Sequence, residues 1–283
     1  MARPTLGGPK LGGRRTVSPG EGPPPDGAPW DLPLDEAPLA FVDLEMTGLV
    51  VETDRVIEIC IERVRGGVVE DRLESLVNPG VHGNAAIHGI SAESLAGAPS
   101  FADLAPRVME LLDGAVLVAH AAEWDLAFLE VELGRVGLSA PTHALDSLVL
   151  ARRAFHQPSY ALAALASALG IEVRGAHRAG EDVRTLRAVF AVVVKELSPK
   201  TARDLFMVRI GENVPRPEVV AACTDAVASG APVRVTYRPA SSGPQELDMF
   251  LTGVDGPHAY GFLLPGRGRR TLLLSRVLRV AKM

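Results

Sequence analysis

Four carboxylates and one histidine, carried by three short segments, are the residues of this 283-residue chain whose types and spacing could do chemistry. The segments are Phe41-Val42-Asp43-Leu44-Glu45-Met46-Thr47-Gly48-Leu49, His120-Ala121-Ala122-Glu123-Trp124-Asp125 and His177-Arg178-Ala179-Gly180-Glu181-Asp182. Asp43, Glu45, Asp125 and Asp182 offer hard oxygen donors of the kind that hold Mg²⁺ or Mn²⁺. Two such ions, with His177 beside them as a proton acceptor, are equipment for hydrolysing a phosphodiester bond. Asp43 and Glu45 also sit in an otherwise apolar run, where uncompensated carboxylates are costly to bury. A cation must offset them, and that run contains no Lys or Arg.

The elements that position these groups follow from the pattern. Residues 39–45 read as a buried strand, and strand alternation turns Asp43 and Glu45 to one face. Residues 55–64 and 68–77 read as the next two strands, joined by a Gly66-Gly67 turn. A helix is expected over 101–112, a short strand over 115–119, and a helix over 124–136 with Asp125 in its first turn. Helices over 147–155 and 160–169 come next, the second closed by Gly170. A long helix over 178–197 begins just after His177 and carries Asp182 about one turn in. Asp146 reads as a helix cap. Glu123 and Glu181 read as solvent-facing, because successive helical residues point about 100° apart.

Order, spacing and residue types resemble the histidine variant of the DEDD exonuclease superfamily, the DnaQ-like family that includes the proofreading subunit of bacterial DNA polymerase III. Asp43-Leu44-Glu45-Met46-Thr47-Gly48 is similar to the family's first motif, with Met46 inserted before the Thr-Gly pair. His177 and Asp182 match its His-x4-Asp motif. Ile87-His88-Gly89-Ile90-Ser91, Asp146-Ser147-Leu148 and Ser159-Tyr160-Ala161-Leu162 resemble landmarks of the polymerase-III-like branch. The second motif departs from the family: Ala121 stands where Asn is usual and Trp124 where Phe is usual, which bears on substrate contacts and leaves the metal ligands intact.

The resemblance implies an RNase-H-like α/β domain, a mixed sheet flanked by helices, and two-metal hydrolysis from a 3′ end that releases nucleoside 5′-monophosphates. It implies that Asp43 bridges two Mg²⁺ or Mn²⁺ ions. Glu45 and Asp182 help hold the ion that activates water, Asp125 acts through the other ion, and His177 is the base. It further implies that Thr47, Gly48 and Leu49 meet the terminal nucleotide, with Leu49 as a wedge, and that His120 approaches substrate or packs. His88 would border the substrate or order its loop. DNA is the favoured polymer, with single-stranded 3′ ends as substrate and a DNA polymerase or repair complex as partner. An exoribonuclease, or a nucleic-acid-binding regulatory protein with vestigial catalysis, remains as an alternative.

Composition bounds the rest. Residues 1–38 hold 7 Gly and 9 Pro with few large apolar residues, so a disordered tail is expected, with Trp30 its one large anchor. The exonuclease-like domain spans 39–197, a Pro/Gly-containing linker 198–217, and a β-rich domain 218–283. That last domain reads as a helix over 218–229 and strands over 233–238, 245–254, 259–264 and 271–280, an SH3/Sm-like barrel. It weakly resembles a WYL domain through Val233-Arg234-Val235-Thr236-Tyr237-Arg238 and Arg269-Arg270-Thr271-Leu272, although Ala259-Tyr260-Gly261 replaces the namesake triplet. The net charge of −5 is uneven: residues 216–283 carry 9 basic and 5 acidic side chains, residues 1–215 carry 20 and 29. A polyanion is therefore favoured at the C-terminal end, where Arg269 and Arg270 could grip phosphates. Two cysteines, Cys60 and Cys223, argue against a disulfide framework and fit a reducing cytoplasm. No apolar run reaches the roughly 18 residues that span a bilayer.

Overall fold

Leu39, Phe41, Asp43 and Glu45 alternate with Ala40, Val42 and Leu44, and in the computed structural model this run forms β1 (Leu39–Met46). The structure describes residues 22–80, 90–155, 157–173, 178–210, 215–237, 239, 245–266 and 268–283. β2 (Val56–Arg65) and β3 (Val68–Leu76) follow as an antiparallel meander through Gly66 and Gly67, both at positive φ. Helices α1 (Ala92–Ala96) and α2 (Phe101–Leu112) lead to β4 (Val116–Ala119), which pairs parallel with β1. Then come α3 (Glu123–Arg135), β5 (Ala144–Asp146) parallel to β4, and helices α4 (Ser147–Ala154), α5 (Leu162–Ala168) and α6 (Ala179–Leu197). The sheet order is β3-β2-β1-β4-β5, the mixed RNase-H-like arrangement with helices on both faces.

The two faces of β1 build separate cores. Leu39 and Phe41 pack with Val183, Leu186 and Phe190 of α6. Ala40, Val42 and Leu44 pack with Phe101 and Val108 of α2 and Phe128 and Leu129 of α3. Asp43 and Glu45 share the parity of Phe41, so they emerge on the α6 side at the C-terminal end of the strand. Apolar burial on both sides of β1 therefore sets the direction in which the two carboxylates point.

Part of the expected tail and linker is folded. Trp30 is buried against Phe206 and His143, with ring centroids 5.4 and 6.2 Å apart. Phe206 lies on α7 (Ala202–Ile210), a helix inside the stretch expected to be a linker. Arg203 of α7 donates to the carbonyls of Pro24 and Pro25 at 2.9 and 2.6 Å and pairs with Asp31. Neither segment carries enough apolar surface alone. Joined, Trp30, Leu32, Leu34, Leu205 and Phe206 extend the α6-side core.

Beyond α7, α8 (Pro217–Ser229) starts with Pro217 and closes on Gly230 at φ 61°. It packs on a five-stranded antiparallel sheet of β6 (Val233–Tyr237), β7 (Gln245–Asp255), β8 (His258–Leu263), β9 (Arg269–Leu273) and β10 (Val277–Lys282). The strand expected over 271–280 is broken by a 3₁₀ turn at Leu274–Arg276, which separates β9 from β10. The order is β10-β6-β7-β8-β9, and among the described residues no β9–β10 ladder closes a barrel. Gly261 explains the altered triplet: a Cβ there would collide with the Phe250 carbonyl where β7 is irregular. Both cysteines are buried and unbridged, and burial pushes their thiols up, Cys60 to about 12 and Cys223 to about 11. No described helix is long and apolar enough to cross a membrane.

Candidate active site

β1 presents Asp43 and Glu45, and the start of α6 brings Asp182 to them. One carboxylate oxygen from each of the three lies within 4.8 Å of the others. Burial is the main force on Asp43, followed by repulsion from Asp125, Asp182, Glu45 and Glu58, and its carboxyl titrates well above the usual range. Asp125, in the first turn of α3, is buried and pushed up to about 8, chiefly by desolvation. Hard oxygen donors, crowded and partly withdrawn from water, fit a divalent cation by both donor type and charge. Asp125 is not one of the three grouped ligands, although it exerts the largest single charge repulsion on Asp43. His177 and His88 lie outside the described residues.

The loop after β1 is built around a residue that motif reading passed over. Asp54 accepts from the Thr47 hydroxyl at 2.8 Å and from the Val50 amide at 2.7 Å. Thr47 Oγ1 in turn accepts from the Arg55 amide at 3.0 Å. Gly48 faces the same carboxylate, and a Cβ there would collide with it. The turn leaves Leu49 and Val50 exposed beside the acidic group, each at 55%. Thr47 is thus a structural tie of the loop, and Leu49 is its free apolar tip.

Other sequence candidates fall as follows. His120 uses both ring nitrogens internally, Nδ1 with Ser147 Oγ at 2.7 Å and Nε2 with the Tyr160 carbonyl at 2.8 Å. Its burial lowers its pKa. Asp146 caps α4 through the amides of Leu148 and Val149 and also accepts from the Ala121 amide. Glu123 is exposed, and Glu181 pairs with Arg184 on its own helix. Arg269 and Arg270 lie exposed on β9, in the C-terminal sheet.

The second motif's departure has a backbone consequence. Ala121 sits at φ 64°, in the left-handed region that favours Asn over Ala. Ala121→Asn should therefore stabilise the protein by about 0.5–1 kcal/mol, out of the roughly 1–2 kcal/mol that this conformation costs an L-residue. Urea unfolding of the two proteins measures it, and a less stable variant would show that the new side chain does not fit.

Two buried glutamates, invisible to motif reading, brace these elements through arginine partners. Glu132 of α3 accepts from Arg55 Nε at 2.7 Å and Arg135 Nη1 at 2.9 Å, tying the helix of Asp125 to the loop of Thr47. Glu58 of β2 holds Arg178 at the start of α6. For Glu58 the signal was its place in an apolar strand, which implies a partner without naming it.

An RNase-H-like sheet whose central strand ends in clustered carboxylates is the architecture of a nuclease. This chain belongs to the exonuclease family of the DnaQ-like type: the family model described as "Exonuclease" (RNase_T) matches residues 40–190. The DNA polymerase III subunit epsilon of Aquifex aeolicus is 31% identical over 169 residues, covering 58% of this chain and 84% of that protein. The PolC-type DNA polymerase III of Caldanaerobacter subterraneus is 30% identical over 166 residues, covering 57% of this chain but only 12% of its own length. A crystal structure of Escherichia coli exonuclease I with single-stranded DNA and zinc superimposes with a TM-score of 0.54 at 17% identity. It covers 80% of this chain and 54% of that one, and shares the fold.

Proposed function

We propose that this protein is a metal-dependent 3′→5′ exonuclease that removes nucleoside 5′-monophosphates from the 3′ ends of DNA. The observation that carries this reading is the convergence of Asp43, Glu45 and Asp182 within 4.8 Å, in a chain of the exonuclease family. Asp43, Glu45, Asp125 and Asp182 would hold two Mg²⁺ or Mn²⁺ ions. When bound, these supply a water of lowered pKa and positive charge for the developing phosphorane and leaving oxygen. His177 takes the proton of the attacking water, a role that the imidazole side chain suits in general. Leu49, on the tip held by Asp54, and the backbone at Thr47 and Gly48 meet the terminal nucleotide. The names of the relatives support DNA as the polymer and a DNA polymerase as partner, and a repair complex is the other partner of this reading. The same reading places the chain in the cytoplasm, where its unbridged thiols stay reduced.

The C-terminal unit, read as an SH3/Sm-like module, would hold the strand. Its strand order, with β10 returning beside β6, supports that reading. Phe250, Phe262 and Arg269 face one another in register across β7, β8 and β9, with the Arg269 guanidinium 6.0 Å from the Phe262 ring. Directly paired strand residues point to the same side, so this row offers bases a stacking surface and phosphates a cation. Arg269→Ala with Arg270→Ala should raise KM several-fold, leave kcat within about twofold, and reduce the slope of log K against log salt by about one per lost phosphate contact. An unchanged KM and salt slope would remove the module from substrate binding.

The test of the function itself uses single-stranded DNA and RNA of one sequence, labelled at either end, with Mg²⁺, Mn²⁺ or EDTA. Metal-dependent shortening from the 3′ end is expected, faster on DNA. Faster shortening of RNA would move the reading to an exoribonuclease. Binding without shortening of either polymer would overturn the catalytic reading in favour of a regulatory protein.

A further inference from the structure

Glu58 stands directly opposite Glu45 in the β1–β2 ladder, so both side chains face α6. Like charges so placed repel, and the Glu58 side chain is only 2% exposed. Its charge is met by Arg178, whose Nε and Nη2 donate to Oε1 at 3.0 and 2.8 Å. Its other oxygen accepts from the Ala179 amide at 3.2 Å. That amide is the first of α6, and Arg178, the capping residue, makes no side-chain cap of its own. Helix starts leave amides without partners. Here the acceptor that a local Ser or Asp usually supplies comes from a strand 121 residues away. Farther along β2, Glu62 pairs with Arg187 of α6 at 2.6 Å, so the helix is tied to the strand at two points.

The turn gripped in this way is the one that carries Asp182, whose amide donates to the Arg178 carbonyl at 3.0 Å. Gly180 lies in the same turn, and a Cβ there would run into the Glu74 carboxylate of β3, so the helix start sits close against the sheet. Leucine or glutamine at position 58 would fill the volume, but only a carboxylate can accept from a guanidinium and a helix amide together at full charge.

We propose that Glu58 is a positioning residue: with Arg178 it sets the first turn of α6 and thereby holds Asp182 against Asp43 and Glu45. The proposal rests on the metal-site reading given above. It also assigns Arg178 as the resident cation of Glu58, the second glutamate of the facing pair.

The test compares Glu58→Gln, Arg178→Gln and the double variant in the full chain. Three quantities are read: kcat and KM on a labelled single-stranded DNA, the Kd for Mn²⁺ by electron paramagnetic resonance, and Tm. Groups that orient metal ligands typically contribute about 10–100-fold. Each single variant should lose at least about tenfold in kcat and bind Mn²⁺ more weakly, with KM within about twofold. The double variant should be no worse than the poorer single, because the pair acts as a unit. Arg178 is 55% exposed, so its variant keeps the test informative if Glu58→Gln fails to fold. A folded Arg178→Gln protein with unchanged kcat and Mn²⁺ Kd but lower Tm would overturn the proposal, leaving a purely structural ion pair. Losses that multiply in the double variant would overturn it too. Asp43→Asn, run in parallel, separates the two readings. If it also retains cleavage and Mn²⁺ binding, the metal site itself is misassigned. If it is inactive while the Glu58 and Arg178 variants are unimpaired, only the positioning role falls.

Discussion

Asp43→Asn should abolish cleavage, by at least about a thousandfold, and at the same time raise the Tm of the metal-free protein. The two effects share one cause. Burial and the surrounding carboxylates Asp125, Asp182, Glu45 and Glu58 raise the Asp43 pKa well above that of an unfolded chain. An acid whose pKa is raised on folding binds its proton more tightly in the folded state. Its favourable contribution is therefore complete below the unfolded value near 4 and is lost as pH rises through the folded value. At neutral pH the ionised carboxylate works against folding. Asparagine has nearly the same shape and no charge to repel. Each kcal/mol relieved should appear as about 2–4 °C in Tm for a domain of this size. Thermal unfolding in EDTA at pH 7.5, beside a cleavage assay with Mg²⁺, measures both effects. A lower Tm in EDTA would show that the acidic cluster is not a cost to the fold. Surviving cleavage would remove Asp43 from the chemistry.

Metal affinity should rise steeply between pH 6 and about 8, and chelation should stop turnover. Asp125 is pushed up to about 8 and Asp43 is also raised, so below that range both carry protons that a cation must displace. For each proton released, affinity should grow by up to about tenfold per pH unit until the group is ionised, and then level off. Mn²⁺ titration calorimetry at several pH values, in buffers of different ionisation enthalpy, reads both the slope and the protons released. The acid limb of the cleavage rate should follow the same curve at subsaturating metal. An affinity that does not change between pH 6 and 8 would mean that the carboxylates are already ionised in the metal-free protein. EDTA should leave no measurable cleavage, and Mg²⁺ or Mn²⁺ should restore it. Turnover that persisted in EDTA would contradict the proposed chemistry altogether.

The carboxylates were legible in the sequence because their geometry is local. Asp43 and Glu45 share a face through the two-residue strand period, Asp182 lies one turn into a helix, and Asp146 caps one. The buried ion partners were not legible. Glu58 and Glu62 look alike in β2, and which arginine each meets depends on how α6 lies over the sheet. Asp54 was missed for a related reason, since its role comes from a loop that folds back on it across Thr47 and Val50. His120 reads equally as a substrate contact or a packing residue, and only folding supplies the internal partners of both its nitrogens.

By itself, the sequence determined the class of domain, most of its strands and helices through residue 197, the short α1 and β5 excepted, and the shared face of Asp43 and Glu45. Each of these depends on period, spacing and burial of neighbouring residues. Tertiary structure alone decided that Trp30 and α7 would complete one core, since neither segment buries enough apolar surface until the other is in place. It decided that the last stretch would divide into β9 and β10, which stand at opposite ends of the strand order among the described residues, because a 3₁₀ turn redirects the chain between them. It also placed Glu58 opposite Glu45 and gave it Arg178, because strand register and helix docking are set by contacts between residues far apart in the chain.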